Sequence, residues 1–413
     1  MGLIVQKFGG SSVATPEKIH AAARKAIAEK ERGNQVVVVV SAMGDTTDDL
    51  IDIARQVCLF DGKQATPPKR EMDQLLVTGE QVTIALMAMA IHAQGHQAIS
   101  FTGGQIGLVT DAAFSKARIQ SINKQRIFEQ LNAGKIVIVA GFQGITEDGD
   151  YTTLGRGGSN ATLVAMGAVL HADACDNFTD VDGIFTADPR IVKNARKIDR
   201  ISYDEMLELS GLGASVLQTR AVEFAKKYNV PLHVRNSAHD GEGTWIVAEN
   251  HNMEHIVVSG AALKKDLTRV TLKSVPDRPG IAARIFGEIA AANIIVDDII
   301  QNLMDDHTAN VSFTVEHGEL QDLKPVVEAL LKELGGNSQA TYHDNLAKVS
   351  VVGVGMRVHT GVAQRMFGAL AGAGINIQNI TTSEIKISCI IGEEDGPRAL
   401  QLVHDAFELE KLR

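Results

Sequence analysis

Cysteine is scarce in this sequence. Only three cysteines, Cys58, Cys175 and Cys389, occur among 413 residues, and they stand far apart in the chain. An odd number of isolated cysteines excludes a disulfide framework and a thiolate metal site, and it is typical of proteins that fold in a reducing compartment. We therefore expect a cytoplasmic protein without structural disulfides.

Long apolar segments are also missing. The longest apolar runs, at residues 36–40 and 84–91, are far shorter than the roughly 20 residues that span a bilayer. Met1 and Gly2 lead directly into an apolar run of strand type, without the basic start or the small-residue cleavage site of a secretory signal. We expect neither a membrane anchor nor secretion.

Basic residues do not exceed acidic ones. The chain has 40 Lys and Arg against 50 Asp and Glu, a net charge of -10 and a pI near 5.7. This balance argues against a protein that works mainly on nucleic acid or on an anionic membrane. With 45% hydrophobic and 22% charged residues, a chain of this length is expected to form two or three globular domains.

Several familiar catalytic motifs are absent. The sequence contains no Gly-x4-Gly-Lys-Ser/Thr loop, no His-Arg-Asp or Asp-Phe-Gly segment of protein kinases, and no Gly-x-Ser-x-Gly elbow. Gly353-Val354-Gly355 lacks the third glycine of a dinucleotide fingerprint, so the sequence gives little support to nicotinamide chemistry.

Two metal-like patterns are incomplete. The Asp-x-Asp-Gly segment at 180–183 has Ile184 and Ile191 where a calcium loop needs its fifth and twelfth ligands. The zinc-peptidase pattern His251-x-x-Glu254-His255 lies in a polar connector without a supporting apolar helix. We therefore assign no dedicated metal ligands.

Short β-branched runs alternate with amphipathic helical stretches from the N-terminus to about residue 246. The runs lie at 3–5, 36–40, 136–139 and 232–234, with helices between them, as at 16–30 and 204–209. This alternation predicts a largely parallel sheet covered by helices on both faces, with ligands at the carboxyl ends of the strands. Polar, glycine-rich loops follow the runs at 41–47 and 140–144, as expected of an active-site rim.

The loop after the first run has the chemistry of a phosphate site. The segment Lys7-Phe8-Gly9-Gly10-Ser11-Ser12 precedes a helix that Thr15 would cap and Pro16 would start. Glycines let the backbone approach a bulky anion, amides at the helix start donate to it, and Lys7 supplies a positive charge. Taken alone, a simple strand-to-helix loop with an exposed lysine explains the hexapeptide equally well.

A second glycine turn opens a helix at 161–170. The preceding segment, residues 152–160, contains Arg156, whose planar guanidinium suits a carboxylate or a phosphate. Ser159 and Asn160 would cap the helix while facing a ligand. A capped helix with a surface arginine is the alternative interpretation.

A third loop lies at residues 178–190. Asp180 and Asp182 are suited to a sugar hydroxyl or a magnesium ion, Phe185 to the flank of a base, and Arg190 to a phosphate. A polar turn stabilised by aspartate side chains would account for the same residues without a ligand.

The last third of the chain contains a repeat. After a polar connector at about 247–265, residues 279–286 match residues 360–367, so that Gly280 pairs with Gly361 and Phe286 with Phe367. Each copy reads as strand, glycine turn, helix and strand, then a further strand and helix, a small α+β unit used twice. Such pairing favours a dimer interface or ligand pockets between the units; a duplication without ligands is the alternative.

Together these segments resemble the aspartate kinases. The resemblance rests on residues 7–12, 41–44, 78–80, 155–159 and 179–183, whose order and spacing match across essentially the whole chain. It is to the monofunctional bacterial form, which implies a three-layer α/β/α amino acid kinase fold with a mainly parallel sheet and two C-terminal α+β ACT modules of ferredoxin-like type. The implied domains are a catalytic domain at 1–247, a connector at 248–265, and ACT modules at 266–345 and 346–413.

The resemblance also implies a reaction. The γ-phosphoryl group of ATP would be transferred to the side-chain carboxylate of L-aspartate, giving 4-phospho-L-aspartate at the start of lysine, threonine and methionine biosynthesis, with ATP and Mg²⁺ as cofactors. Because the acceptor carboxylate is already ionised at neutral pH, this reaction needs cations and amides and no general base.

The same motifs imply the site residues. Lys7 and Asp180 are the implied catalytic residues, and the ATP-binding residues are Lys7, Phe8, Gly9, Gly10, Thr179, Asp180, Phe185 and Arg190. The aspartate-binding residues are Ser41, Thr47, Glu80, Arg156, Gly157, Gly158, Ser159 and Asn160. Asn160 departs from the family pattern, because it replaces an aspartate by an amide without its negative charge.

The ACT modules imply feedback inhibition by lysine, threonine or both. The implied effector pocket comprises Asp297, Gln301, Asn376, Ile377, Thr382 and Ser383. The expected partners are a second copy of the chain, bound through the ACT modules, and a shorter regulatory subunit made from an internal start near Met253. We expect neither nucleic acid nor membrane as a partner.

Other functions stay open at this point. A kinase for glutamate, acetylglutamate, carbamate or UMP would share the fold and the glycine loops. An amino-acid-binding regulator with an impaired kinase half would retain the repeats, with Asn160 as the lesion, although the intact Lys7 favours an active kinase. An oxidoreductase is the weakest alternative.

Overall fold

The computed structural model of the chain describes residues 2–155, 157–213, 216–248, 257–305, 307–335 and 337–411, apart from the side chains of Gln64 and Val358. The chain forms two compact units. The first comprises residues 1–185, 197–211 and 215–252, and the second comprises residues 186–196, 212–214 and 253–413.

The first unit alternates strands and helices along the chain. Its first half comprises β1 (Leu3–Phe8), α1 (Pro16–Glu31), β2 (Gln35–Val40), α2 (Thr46–Val57), β3 (Leu59–Phe60), β4 (Lys63–Gln64), α3 (Lys69–Ala93), β5 (Ala98–Phe101), β6 (Val109–Thr110), β7 (Ile119–Ser121), α4 (Gln125–Asn132) and β8 (Ile136–Ala140). Its second half comprises β9 (Gln143–Ile145), β10 (Tyr151–Thr153), α5 (Gly158–Leu170), β11 (Ala174–Thr179), β12 (Ile184–Phe185), β13 (Lys197–Ile198), β14 (Arg200–Ser202), α6 (Tyr203–Gly211), α7 (Thr219–Tyr228), β15 (Leu232–Asn236) and β16 (Thr244–Val247).

Eight strands form the central sheet, in the order β14-β16-β15-β11-β1-β2-β8-β5. All neighbouring pairs are parallel except β15 with β16, as the sequence predicted. Buried side chains of β2 alternate between the faces: Val36, Val38 and Val40 pack in one apolar cluster with α1 and α3, so Val37 and Val39 point to the opposite face. Helix α5 contacts β1, β2 and β11 without joining that cluster, which gives the helix–sheet–helix layering.

Helix α1 begins as its sequence predicts. Thr15 is the N-cap, its side chain accepts a hydrogen bond from the Lys18 amide at 3.4 Å, and Pro16 is the first helical residue. The N-terminus of α1 therefore lies directly after the Lys7–Ser12 loop.

Helix α3 is the longest in the described part of the chain. By length and composition it alone among the described helices would suffice to cross a bilayer, but 56% of its most apolar window is buried inside the protein. Its inward face carries Leu76, Val77, Ile84, Met87 and Ile91, the spacing of an amphipathic core helix.

The described residues of the second unit form a six-stranded sheet and four α-helices. Its elements are β17 (Gly260–Pro276), α8 (Ile281–Ala291), β18 (Asp297–Leu303), β19 (Thr308–Glu316), α9 (Leu320–Leu334), β20 (Gln339–Val352), α10 (Val362–Gly372), β21 (Asn379–Thr382), β22 (Lys386–Gly392) and α11 (Gly396–Ala406). The strand order is β18-β19-β17-β20-β22-β21, and every pair is antiparallel. The predicted α+β unit therefore occurs twice, as β17-α8-β18-β19-α9 and β20-α10-β21-β22-α11.

The long strands β17 and β20 join the two repeats. Residues 260–264 of β17 pair with residues 348–352 of β20, and residues 267–273 pair with residues 339–346. Strand β17 begins at Gly260, inside the predicted connector, and β20 continues through the predicted boundary at 345 and 346. The rest of the connector, including the pattern at 251–255, lies largely outside the described residues.

Residues 186–196 belong to the second unit, although the catalytic domain was predicted to continue to residue 247. Ala187 and Val192 are buried in an apolar cluster with residues of α10 and α11. The Thr186 side chain lies 3.0 Å from the His404 imidazole of α11, and Ala261 of β17 donates to the Thr186 carbonyl at 2.7 Å. Residues 186–196 therefore pack as part of the second unit.

Candidate active site

The loop after β1 lies at the centre of the parallel sheet, because β1 is flanked by β2 and β11. Lys7 is only 8% exposed, and a Cβ on Gly9 would lie 3.4 Å from its Nζ atom. Burial lowers the pKa of Lys7 to about 8, and the nearby Asp180 carboxylate partly opposes this shift. The site therefore holds a buried ammonium group beside a glycine backbone.

Gly10 joins this loop to the loop after β2. A Cβ on Gly10 would lie 2.9 Å from the Ala42 carbonyl and 3.0 Å from the Gly44 carbonyl, so only glycine fits there. The Gly44 amide in turn donates to the Gly10 carbonyl at 3.1 Å. Gly10 starts the 3-10 turn Gly10–Ser12, whose first amides have no acceptor within the turn.

Two residues predicted to bind ATP, Phe8 and Gly9, make contacts within the protein that limit what they can offer to a ligand. The Phe8 side chain is fully buried and stacks on Phe178 with ring centroids 4.7 Å apart, so only its main chain remains near the loop. The Gly9 amide, expected to face the ligand, donates to the Phe178 carbonyl at 3.4 Å. The early amides of the 3-10 turn are therefore better anion donors than the Gly9 amide.

Ser41 and Ser159 bring the second glycine turn to the same edge of the sheet. The Ser41 hydroxyl donates to the Ser159 hydroxyl at 2.9 Å. A Cβ on Gly141, after β8, would lie 2.7 Å from Ser159 Oγ, so this glycine allows the close approach. The loops after β2 and β8 and the N-terminus of α5 thus converge.

The start of α5 is shaped by its glycines. Gly157 has φ 72° and accepts a hydrogen bond from the Asn160 amide at 2.9 Å, and Gly158 is the first helical residue. Asn160 is 9% exposed, and its Oδ1 atom has no hydrogen-bond partner among the described residues. Arg156, the predicted carboxylate-binding residue, lies outside the described residues.

Glu80 projects from α3 toward the loop after β2. It is 2% exposed, and its Oε1 atom accepts a hydrogen bond from the Ala42 amide at 3.0 Å, while Oε2 has no partner in the described part of the protein. Burial raises the pKa of Glu80 to about 7, against the opposing effect of the Ala42 hydrogen bond. A ligand ammonium would satisfy the open oxygen. Thr47, half-buried in the first turn of α2, completes the predicted acceptor residues.

The predicted nucleotide residues divide between the two units. Thr179 ends β11, and its hydroxyl donates to the Asp180 carboxylate at 3.1 Å; Phe185 lies on β12 in the same unit. Arg190 belongs to the second unit, is largely exposed and forms an ion pair with Asp188 at 2.8 Å. The first unit therefore brings together Lys7, Thr179 and Asp180 and also contains Phe185, whereas Arg190 belongs to the second unit.

Asp182 has its own partners. Its carboxylate accepts a hydrogen bond from Asn236 Nδ2 at 2.7 Å and lies 2.8 Å from His239 Nε2. Asp180 is thus the more available of the two carboxylates for a ligand. No group of three metal-ligating side chains occurs among the described residues.

Sequence reasoning missed Asp73. This aspartate lies on the inward face of α3, fully buried, and accepts hydrogen bonds from Ser115 and from Thr153 at the end of β10. The available signal was its spacing: Asp73, Leu76, Val77 and Glu80 share one helix face, so a carboxylate occupies a core position.

The predicted effector residues lie in different places within the second unit. Asp297 forms an ion pair with the buried Lys348, which also contacts Asp298 at 2.7 Å; Thr381 donates to Asp298 at 3.1 Å. Gln301 instead lines a cavity of about 380 Å³ formed mainly by residues 275–282. The remaining predicted residues, Asn376, Ile377, Thr382 and Ser383, line neither feature.

Residues 2–236 match the amino acid kinase family, and residues 269–335 and 349–407 each match the ACT domain. An aspartokinase from Bacillus sp. (strain MGA3) is 51% identical over 412 residues, which cover 99% of this chain and 98% of that protein.

Two crystal structures of E. coli aspartokinase III are also similar. The R-state complex with aspartate and ADP has a TM-score of 0.83 at 26% identity, covering 98% of this chain and 99% of that one. The T-state complex with lysine and aspartate has a TM-score of 0.75 at 26% identity and the same coverage. The predicted three-layer fold with two ACT modules is thereby confirmed.

Proposed function

Because the chain belongs to the aspartate kinases of the amino acid kinase family, we propose that it transfers the γ-phosphoryl group of ATP to the side-chain carboxylate of L-aspartate. The products are ADP and 4-phospho-L-aspartate, the first intermediate on the way to lysine, threonine and methionine. The reaction takes place in the cytoplasm, where ATP is available. The observation that carries the proposal is the buried Lys7 ammonium at the carboxyl end of the parallel sheet.

Lys7 supplies the positive charge for the transferred group. With a pKa of about 8, its side chain is mostly protonated at pH 7. In a buried site this charge opposes the repulsion between the nucleotide and the acceptor carboxylate more strongly than it would in water. The first amides of the turn Gly10–Ser12 add donors to the same anion.

Glu80 and Asn160 orient the acceptor. The open Oε2 atom of Glu80 would accept a hydrogen bond from the substrate ammonium, which also favours the ionised form of this carboxylate. The unpartnered Oδ1 atom of Asn160 would accept a second donor. Arg156, with its bidentate guanidinium, is the proposed partner of a substrate carboxylate.

Asp180 fits a magnesium ion carried by the nucleotide. Magnesium in kinases uses one or two protein carboxylates together with phosphate oxygens, so a cluster of three protein ligands is not needed. The Asp180 carboxylate is exposed, and the neighbouring Thr179 hydroxyl contacts it. When bound, the ion would neutralise phosphate charge during the transfer.

Trapping of the product with hydroxylamine tests this function. Purified protein with Mg-ATP should form a hydroxamate with aspartate and none with glutamate. Lys7→Met should abolish the product, whereas Lys69→Met, an exposed lysine at the start of α3, should not. Absence of product from the wild type with every acceptor would instead support the second candidate, an amino-acid-binding regulator whose kinase half is disabled at Asn160.

Feedback inhibition by lysine, threonine or both is part of the proposal. The cavity beside Gly280 and Gln301 has the size for an amino acid, and the related E. coli enzyme has a lysine complex. Its binding would favour a less active state of the enzyme. The hydroxamate assay repeated with each amino acid, alone and together, identifies the effector.

The second unit also offers edge strands for pairing with a second copy. β18 ends the sheet at one side and exposes Ile299 and Leu303, while β21 ends it at the other and exposes Ile380. Apolar edge strands are templates for pairing with another chain. Light scattering should give a homo-oligomer, and Leu303→Lys should shift it toward the monomer.

A further inference from the structure

Asp73 is a fully buried carboxylate that accepts four hydrogen bonds and that the proposed reaction does not use. Its Oδ2 atom accepts the Ser115 amide at 2.8 Å and the Thr153 amide at 2.9 Å. Its Oδ1 atom accepts the Thr153 hydroxyl at 2.8 Å and the Ser115 hydroxyl at 3.4 Å. Asp73 itself is fully buried on α3.

These four bonds fix two separate chain segments to one point of α3. Ser115 lies in the loop between β6 and β7 and has φ 71°, a conformation that serine adopts only when its surroundings hold it. Thr153 is the last residue of β10, directly before the glycine turn that leads to α5. The Ala117 amide also donates to the Thr153 carbonyl at 2.9 Å, so the two segments are joined to each other as well.

Arg220 of α7 reaches the same segments. Its guanidinium donates to the carbonyls of Ala117 and Leu154, each at 3.2 Å. Gly155, with φ 78°, packs so closely that a Cβ would lie 3.2 Å from the Ser115 carbonyl. Asp73 and Arg220 therefore fix the main chain at residues 153–155, which precede the N-terminus of α5.

No ion pair to Asp73 is present in the part of the chain that the structure describes, and its carboxyl group instead accepts four hydrogen bonds. Burying an unpaired carboxylate is costly, and an apolar residue would pack at this helix position at lower cost. A carboxylate accepts two main-chain amides on one oxygen, which no apolar side chain does.

We propose that Asp73 is a positioning residue for the acceptor: it holds the Ser115 and Thr153 amides together and thereby sets the position of Leu154, Gly155 and the N-terminus of α5, which carries Ser159 and Asn160 of the proposed aspartate site. This inference deepens the proposed function and rests on it. Asp73 does not touch the substrate; it acts through the N-terminus of α5, so its loss should weaken the acceptor site and leave the nucleotide site intact.

Three variants separate positioning from folding. Asp73→Asn keeps the shape, since its amide oxygen replaces Oδ2 and its NH₂ group faces two hydroxyls that also accept. Thr153→Val keeps the Thr153 amide and loses only the hydroxyl donor. Asp73→Ala leaves two buried amides without an acceptor. The matched control is Glu205→Gln, a buried carboxylate of α6 in the same unit that accepts hydrogen bonds from Ser202 at the end of β14.

Steady-state kinetics with each substrate varied is the test. Asp73→Ala should raise the KM for aspartate at least tenfold, since a displacement of about 1 Å at a positioned group costs up to about 100-fold. Asp73→Asn and Thr153→Val should raise it less, in the same direction, and the KM for ATP should stay within twofold in all three. A lower melting temperature with both KM values unchanged would overturn the proposal, because Asp73 would then act on stability alone.

Hydrogen exchange tests the positioning role of Asp73 independently of enzyme activity. Exchange of residues 113–118 and 153–160 should become at least tenfold faster in Asp73→Ala and stay unchanged in Glu205→Gln. Unchanged exchange in both variants would refute the positioning role, whereas a wild type that makes no acyl phosphate would refute only the proposed function.

Discussion

Glu80 accepts a hydrogen bond from the Ala42 amide at 3.0 Å, so the core helix α3 is tied directly to the loop after β2. The second carboxylate oxygen remains open. The Glu80 side chain thus fixes the loop after β2 with one oxygen and offers the other to a ligand. A change in its protonation should therefore change the affinity for the substrate.

The KM for aspartate should fall as pH rises through about 7. Burial raises the pKa of Glu80 to about 7, so the carboxylate is neutral below that pH and negative above it. Only the negative form attracts the substrate ammonium. The measurement is the KM for aspartate from pH 6 to pH 8.5; Glu80→Gln should give a higher KM without this slope. The same slope in the variant would assign the titration to another group.

The kcat/KM for ATP should fall as pH rises above about 8. Burial lowers the pKa of Lys7 to about 8, so the ammonium loses its proton in that range and its charge with it. Lys7→Arg should retain measurable activity without the alkaline decline, because arginine stays protonated. The check is kcat/KM for ATP from pH 7 to pH 10, which reports groups of the free enzyme, with Lys69→Met as the control that keeps the wild-type profile.

Gly10→Ala should lower kcat/KM at least tenfold. The added Cβ would meet two carbonyl oxygens at 2.9 and 3.0 Å, so the loops after β1 and β2 must move apart. Gly287→Ala is the matched control, since that helical glycine has open space around it and alanine favours helix. Equal activity of the two variants would show that the loop adapts to the methyl group.

Gln301→Ala should weaken inhibition by the effector amino acid at least tenfold and leave the uninhibited rate within twofold. Gln301 lines the cavity beside Gly280, whereas Thr382 does not. The effector should therefore inhibit Thr382→Ala more strongly than it inhibits Gln301→Ala. Inhibition curves of the three proteins decide this, and loss of inhibition in Thr382→Ala alone would move the effector site to β21.

Local sequence signals predicted those helices, strands and turns that depend only on neighbouring residues in the chain. The strand-like run before Lys7, the Thr15 cap and the Pro16 start gave β1, its loop and α1, because each depends on neighbours in the chain. The repeated Gly280 and Gly361 likewise predicted the two α+β units.

Contacts between residues that lie far apart in the sequence could not be predicted from such local signals. The spacing of Asp73 on α3 indicates a buried carboxylate but not its partners, since Ser115 and Thr153 lie far along the chain and meet it only in the folded unit. The burial of Phe8 and the acceptor of the Gly9 amide depend on Phe178 of the neighbouring strand. Packing of residues 186–196 with α11 depends on even more distant residues.

That last packing has a consequence for any shorter form of the chain. A fragment that begins after residue 196 would contain both repeats and lack residues 186–196 of the same unit. Its apolar core would be missing Ala187 and Val192, and the buried His404 would lose the Thr186 hydroxyl.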